Sequence, residues 1–234
     1  MKYLITGASR GIGRDTALEL ASDPDNHILA LSRNEARLQE LAGQAREQTG
    51  RDAIMVLPFD LTDPDWPALA VAIRKMGGMD VLINNAGLLI NKPFVDLERR
   101  DWEQLFEVNF FSAVALIQRL LPELQRSDSA HIVNVTSMGG FQGSSKFPGL
   151  TGYSTSKAAI SNLTECLAEE FKDMGIAVNG LALGAVQTEM LNEAFPGMKA
   201  PVECAQMGSF MAYFARQGHQ FFNGKVLPVS VSTP

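Results

Sequence analysis

The sequence predicts an α/β fold in one domain over residues 1–234, with a doubly wound, mostly parallel seven-stranded sheet and helices on both faces. Short β-type runs alternate with longer segments of helical period, and a glycine-rich turn joins the first strand to the first helix. No internal repeat, low-complexity tract or Pro/Gly/Ser linker divides the chain. A length of 234 residues with 46% hydrophobic side chains is ample for one core.

The elements follow in order. Lys2 to Thr6 reads as the first strand and leaves no room for a signal peptide, so a reducing cytoplasm is the expected compartment. Gly13 to Ser22 is the first helix, His27 to Ser32 the second strand, and Glu35 to Gln48 the second helix. A third strand, Ala53 to Phe59, precedes a helix from Pro64 to Met76 that Thr62 and Asp63 are placed to cap. Val81 to Asn84 is the fourth strand. The two longest helical segments, Arg99 to Arg126 and Tyr153 to Met174, flank the fifth strand, His131 to Ser137. Ala177 to Leu183, a helix from Val202 to Arg216, and a strand from Lys225 to Ser230 complete the alternation. The ending Val231-Ser232-Thr233-Pro234 is polar enough to fray.

A net charge of −6 with a pI near 5.1 gives no general electrostatic reason to bind nucleic acid or an anionic membrane. The apolar runs are short and interrupted, so no membrane span is expected. Cys166 and Cys204 match neither a disulfide framework nor a metal pattern and are expected as buried thiols; no metal site is expected.

Thr6-Gly7-Ala8-Ser9-Arg10-Gly11-Ile12-Gly13 lies between strand and helix, where backbone N–H groups and the helix dipole would meet a dinucleotide pyrophosphate. Twenty residues beyond Gly13 stands Arg33. An acid there would bind a ribose 2′-hydroxyl, whereas an arginine accommodates a 2′-phosphate. Arg10 could add a second planar fork to the same phosphate. NADP(H) is therefore favoured, and NAD(H) stays open.

Tyr153 and Lys157 are four residues apart, which puts phenol and ammonium on one helical face. A nearby cation lowers a phenol that otherwise titrates near pH 10. Ser137 ends the fifth strand on the edge where ligands collect, and Asn84-Asn85-Ala86-Gly87 ends the fourth on the same edge. Asn109 falls inside a helix, where asparagine is a poor former and invites a reason. For both Asn85 and Asn109 a structural amide hydrogen bond is the alternative.

Together these motifs resemble the short-chain dehydrogenase/reductase family over nearly the whole chain, and with it a Rossmann-type fold. The resemblance implies that Tyr153 is the acid/base and that Lys157 lowers its pKa and binds the nicotinamide ribose. It further implies that Ser137 holds the substrate oxygen and that Asn109 supports a relay water. Asp60 and Leu61 would meet the adenine, Asn85 and Ala86 with Gly87 the adenosine-side ribose region, and Val186 and Thr188 the nicotinamide end. The implied reaction interconverts a small carbonyl compound and an alcohol, in a homodimer or homotetramer built through the two long helices. A catalytically silent dinucleotide-binding sensor or scaffold is the alternative.

The chain departs from the family pattern in four places. Leu183-Gly184 replaces Pro-Gly, implying a looser loop; Tyr153 follows Ser137 by sixteen residues, a longer interval than usual that would border the pocket. The segment Val186 to Ala200 is short for a lid and offers Met190, Leu191 and Phe195 as pocket or core residues. The acidic-Gly-Gly ending is absent after Val229.

Overall fold

The computed structural model describes residues 1–231; residues 232–234, within the ending expected to fray, lie outside the described residues. The chain runs β1 (Lys2–Thr6), α1 (Gly11–Ala21), β2 (His27–Ser32), α2 (Glu35–Thr49), β3 (Ile54–Pro58), α3 (Trp66–Met76), β4 (Val81–Asn84), α4 (Arg99–Phe106) and α5 (Ser112–Leu124). It continues through β5 (His131–Ser137), α6 (Thr151–Glu170), β6 (Ala177–Leu183), β7 (Val186–Gln187), α7 (Glu189–Ala194), β8 (Val202–Glu203), α8 (Cys204–Gln217) and β9 (Val226–Val229).

Seven strands form one sheet in the order β3-β2-β1-β4-β5-β6-β9, all parallel, which is the Rossmann-type doubly wound arrangement expected. Strand order reverses between β1 and β4, so a crevice opens beyond their carboxyl ends. Alternation along the strands splits the core in two. Tyr3, Ile5, Ile28 and Ala30 pack with Leu20, Leu38 and Met211 on one face. Leu4, Leu29 and Leu82 pack with Ile73, Leu120 and Phe171 on the other.

Local chemistry explains where the boundaries moved. Helix α3 starts at Trp66 because Asp65, not Thr62 or Asp63, caps it by accepting from Ala68 N. Thr62 is instead turned back to Asp60, to which its amide and hydroxyl both donate. A second sheet pairs β7 with β8, so the last long helix begins at Cys204 instead of Val202. Two-residue strands and the six-residue α7 are too short to leave a periodic signal.

The expected helix Arg99 to Arg126 is interrupted by a π-helical turn, Glu107–Phe111. The span Arg99–Leu124 is long and apolar enough, by length and composition only, to cross a membrane. An apolar core helix passes the same measure, and Leu116, Ile117, Leu120 and Leu124 are buried beneath it. The thiols also differ from expectation. Cys166 is exposed on α6 and Cys204 half-buried, its Sγ donating to Gln187 O and its pKa pushed up to about 11 by burial.

His131 opens β5 fully buried. Its Nε2 accepts from Asn179 Nδ2 at 3.1 Å, which leaves Nδ1–H to donate to Ala215 O at 3.0 Å and fixes a neutral ring. Burial pushes its pKa down to about 4, so between there and the ordinary value the unfolded state binds the extra proton. Stability is therefore full above about pH 6.5 and falls as pH drops towards 4. Urea unfolding at pH 7 and pH 5 should show a loss of about 2 kcal/mol, flattened in His131→Gln.

Candidate active site

The glycine loop is held from below by β4. Thr6 Oγ1 accepts from both Asn85 N and Ala86 N at 3.0 Å. Asn85 Nδ2 donates to Thr6 O at 2.9 Å and Gly7 O at 3.3 Å. The Asn85 side chain is thus a brace, the structural alternative for this residue. Gly7 and Gly11 take positive φ, which lets the chain turn into α1. Gly13 has no room for a side chain, since a Cβ would lie 2.7 Å from Gly7 O and against Asn85 Nδ2.

Helix α1 begins without a side-chain cap and without an acidic residue in its first turn. Its leading N–H groups are left for a ligand or water. Beside them a cleft of about 660 Å³ is lined by Ser9, Arg10, Ser32, Arg33, Asn34, Glu35 and Arg37. Ser32 donates to Ser9 across its floor at 2.7 Å. Arg33 forms no salt bridge among the described residues and is exposed, whereas Arg10 and Arg37 are paired with acids of α7. Arg37 was missed from sequence. Its signal was a position two residues into α2, on the turn whose N-cap Asn34 lines the same cleft. Asp60 and half-buried Leu61 follow β3, the Asp60 carboxyl held below its ordinary range by Thr62 and, less, by Arg33.

At the other end of the crevice, Ser137 finishes β5, and its hydroxyl accepts from Gly139 N at 3.1 Å and lies near the Tyr153 phenol. Lys157 is buried, and its Nζ donates to Val135 O at 2.8 Å. Gly87 comes close enough that a Cβ there would stand 3.4 Å from both Lys157 Nζ and Asn109 Oδ1. Asn109 sits in the π turn, accepting from Leu88 N at 2.7 Å and donating to Leu88 O and Ser156 Oγ at 2.9 Å. The helix opens there so that an amide can satisfy a neighbouring loop. Ser156, which also donates to Tyr153 O, is the residue that ties Asn109 to the Tyr153 helix, and nothing in its sequence position marked it.

The electrostatics of this end differ from expectation. Burial raises the Tyr153 phenol above its ordinary value, and the nearby Ser137 hydroxyl opposes the rise without reversing it. Lys157 does not pull it down; its own pKa is pushed down to about 8 by burial.

The front of the crevice is bordered by α7 and by the long interval before Tyr153. Thr188 caps α7, accepting from Leu191 N, and faces the glycine loop closely enough that a Cβ on Gly11 would lie 3.7 Å from its methyl. Val186 points into the core, and Met190, Leu191 and Phe195 are half-buried, neither core nor fully open. Lys92 N donates to Gly149 O and Asn91 Nδ2 to Ala194 O, so one loop after β4 touches both borders. Leu183 stays in register between Ser137 and Val229, and Gly184 N donates to Val229 O, so the chain is not loosened there.

An uncapped helix start, a closely folded glycine loop and a guanidinium-lined cleft fit the phosphates of a dinucleotide. The comparisons agree. The family model described as short chain dehydrogenase matches residues 2–199, and the chain belongs to that family of NAD(P)(H)-binding oxidoreductases. An uncharacterized oxidoreductase of Staphylococcus aureus (strain MW2) is 27% identical over 92% of this chain and 90% of its own. A 3-oxoacyl-[acyl-carrier-protein] reductase of Staphylococcus epidermidis is 27% identical over 97% of this chain and 96% of its own. The fold superposes on levodione reductase with a TM-score of 0.87 at 21% identity, covering 98% of this chain and 95% of that one.

Removing the Asn109 amide strands Leu88 N–H and C=O in a part-buried site. Asn109→Ala should cost about 2 kcal/mol or more in chemical denaturation, against well under about 1 kcal/mol for an exposed control such as Gln118→Ala.

Proposed function

We propose that the chain is an NADP(H)-dependent oxidoreductase that interconverts a ketone or aldehyde and the corresponding alcohol, with Tyr153 as acid/base. The carrying observation is that Ser137, at the end of β5, stands close enough to the Tyr153 phenol to oppose its shift, on the sheet edge that also carries the uncapped start of α1. Ser137 Oγ and Tyr153 Oη would both donate to the carbonyl oxygen, and as negative charge builds there the Tyr153 proton transfers to it. A phenol raised by burial keeps that proton at neutral pH, the state needed for reduction. Bound beside them, a nicotinamide supplies the hydride.

Lys157, fixed by Val135 O, would hold the nicotinamide ribose, and Asn109 would set the backbone that carries a relay water. Arg33 supports NADP(H) over NAD(H): an exposed guanidinium on the cleft, without a salt bridge among the described residues, suits a 2′-phosphate. Carbonyl reduction is also what the 3-oxoacyl reductase relative is named for. A homo-oligomer through α5 and α6 belongs to the same proposal, with Phe111 half-exposed at the start of α5.

Tyr153→Phe should retain dinucleotide binding, read by fluorescence titration, and lose roughly 10²- to 10⁴-fold in kcat with a panel of carbonyl compounds. Near-normal turnover would remove Tyr153 from the chemistry. Arg33→Asp should weaken NADPH binding at least roughly tenfold and NADH binding little; equal losses would argue against the 2′-phosphate assignment.

A further inference from the structure

Three guanidinium groups border the cleft beyond β2, and α7 already engages two of them. Arg10 Nη1 lies 2.9 Å from Glu189 Oε2 and 2.9 Å from Glu193 Oε1. Arg37 Nη1 lies 3.0 Å from the same Glu189 oxygen. One carboxylate therefore joins the glycine loop, α2 and the segment that borders the crevice. A carboxylate between two guanidinium groups offers the same kind of anionic oxygen acceptor as a phosphate, with less charge and fewer oxygens, so a phosphate can displace it. These ties can be exchanged, because the side chains are well exposed: 38% for Arg10, 42% for Arg37 and 49% for Glu189.

We propose that Glu189 is a selectivity-setting residue that competes with a dinucleotide 2′-phosphate for Arg10 and Arg37, so that 2′-phosphate binding releases α7. The proposal deepens the NADP(H) reading and rests on it. A nucleotide with a 2′-phosphate meets Arg33 first, then draws Arg37 from Glu189 and Arg10 from both Glu189 and Glu193. A nucleotide without one leaves the ties in place. Release does not unfold the segment, because Thr188 still caps α7 and Asn91 Nδ2 still donates to Ala194 O at 2.9 Å. The cover over the crevice thus loosens with one class of cofactor and not the other.

The test uses fragments that carry no nicotinamide. Calorimetric titration of the full chain with 2′,5′-ADP and with 5′-AMP gives the ratio of their affinities in wild type, Glu189→Gln and Glu193→Gln. Glu189→Gln should raise the preference for 2′,5′-ADP roughly 3- to 10-fold, and Glu193→Gln, which leaves Arg10 and Arg37 both tied to Glu189, should raise it less. Binding of 5′-AMP reports that each variant is folded. Hydrogen exchange over 188–195 should quicken in wild type on adding 2′,5′-ADP but not 5′-AMP, and should be quick from the start in Glu189→Gln. If wild type prefers 2′,5′-ADP but Glu189→Gln leaves ratio and exchange unchanged, the competition is overturned and the NADP(H) reading stands. If wild type has no preference and Glu189→Gln gains one, the competition stands and the NADP(H) reading is overturned. No preference in either protein overturns both.

Discussion

The site depends on the junction between Thr6 and Asn85. Two backbone amides from the end of β4 converge on one buried hydroxyl, and the Asn85 side chain returns the contact to the carbonyls of Thr6 and Gly7. Both strands sit where the sheet order reverses, so this knot closes the floor of the crevice. It fixes the glycine loop relative to the chain that continues through Gly87 and Leu88 to Asn109. Without it, the phosphate end and the chemical end would be two loops with independent positions.

The two ends then work in different media. Around Tyr153 and Lys157 the protein removes water, and loss of hydration outweighs the attraction between neighbouring groups. Hydroxyls, an amide and an ammonium are consequently held by short hydrogen bonds to backbone. Around Arg10, Arg33 and Arg37 water remains, and charges find partners that can be traded. A site built this way orients a reacting carbonyl stiffly while gripping a nucleotide by adjustable contacts.

Most of the architecture was legible from sequence because long parallel strands and helices write their period directly. The seven strands of the main sheet fell within a residue or two of expectation, and the glycine loop, Ser137, Tyr153 and Lys157 share one edge as read. What escaped was short or contextual. The β7–β8 pair and α7 carry too few residues for a pattern, and Arg37 is an ordinary helix-surface arginine until the cleft beside it is known. The sign of the Tyr153 shift was misjudged for a physical reason: spacing reveals which charge is near, while desolvation depends on everything packed around both. Cys166 was misplaced for a related reason, since residue type alone does not say which side of α6 is covered.

The π turn at Asn109 does more than free an amide. One extra residue in a helix rotates everything after it by about 100°, given 3.6 residues per turn. Leu105 in α4 and the Leu116, Ile117, Leu120 and Leu124 set in α5 are therefore drawn from two different angular registers of what looks like one rod. A single-residue deletion near Phe110 would restore a regular helix and, in doing so, turn one half's apolar stripe away from its partner. Length in this stretch is as constrained as composition, and a gap placed there in an alignment stands for a change of contact surface.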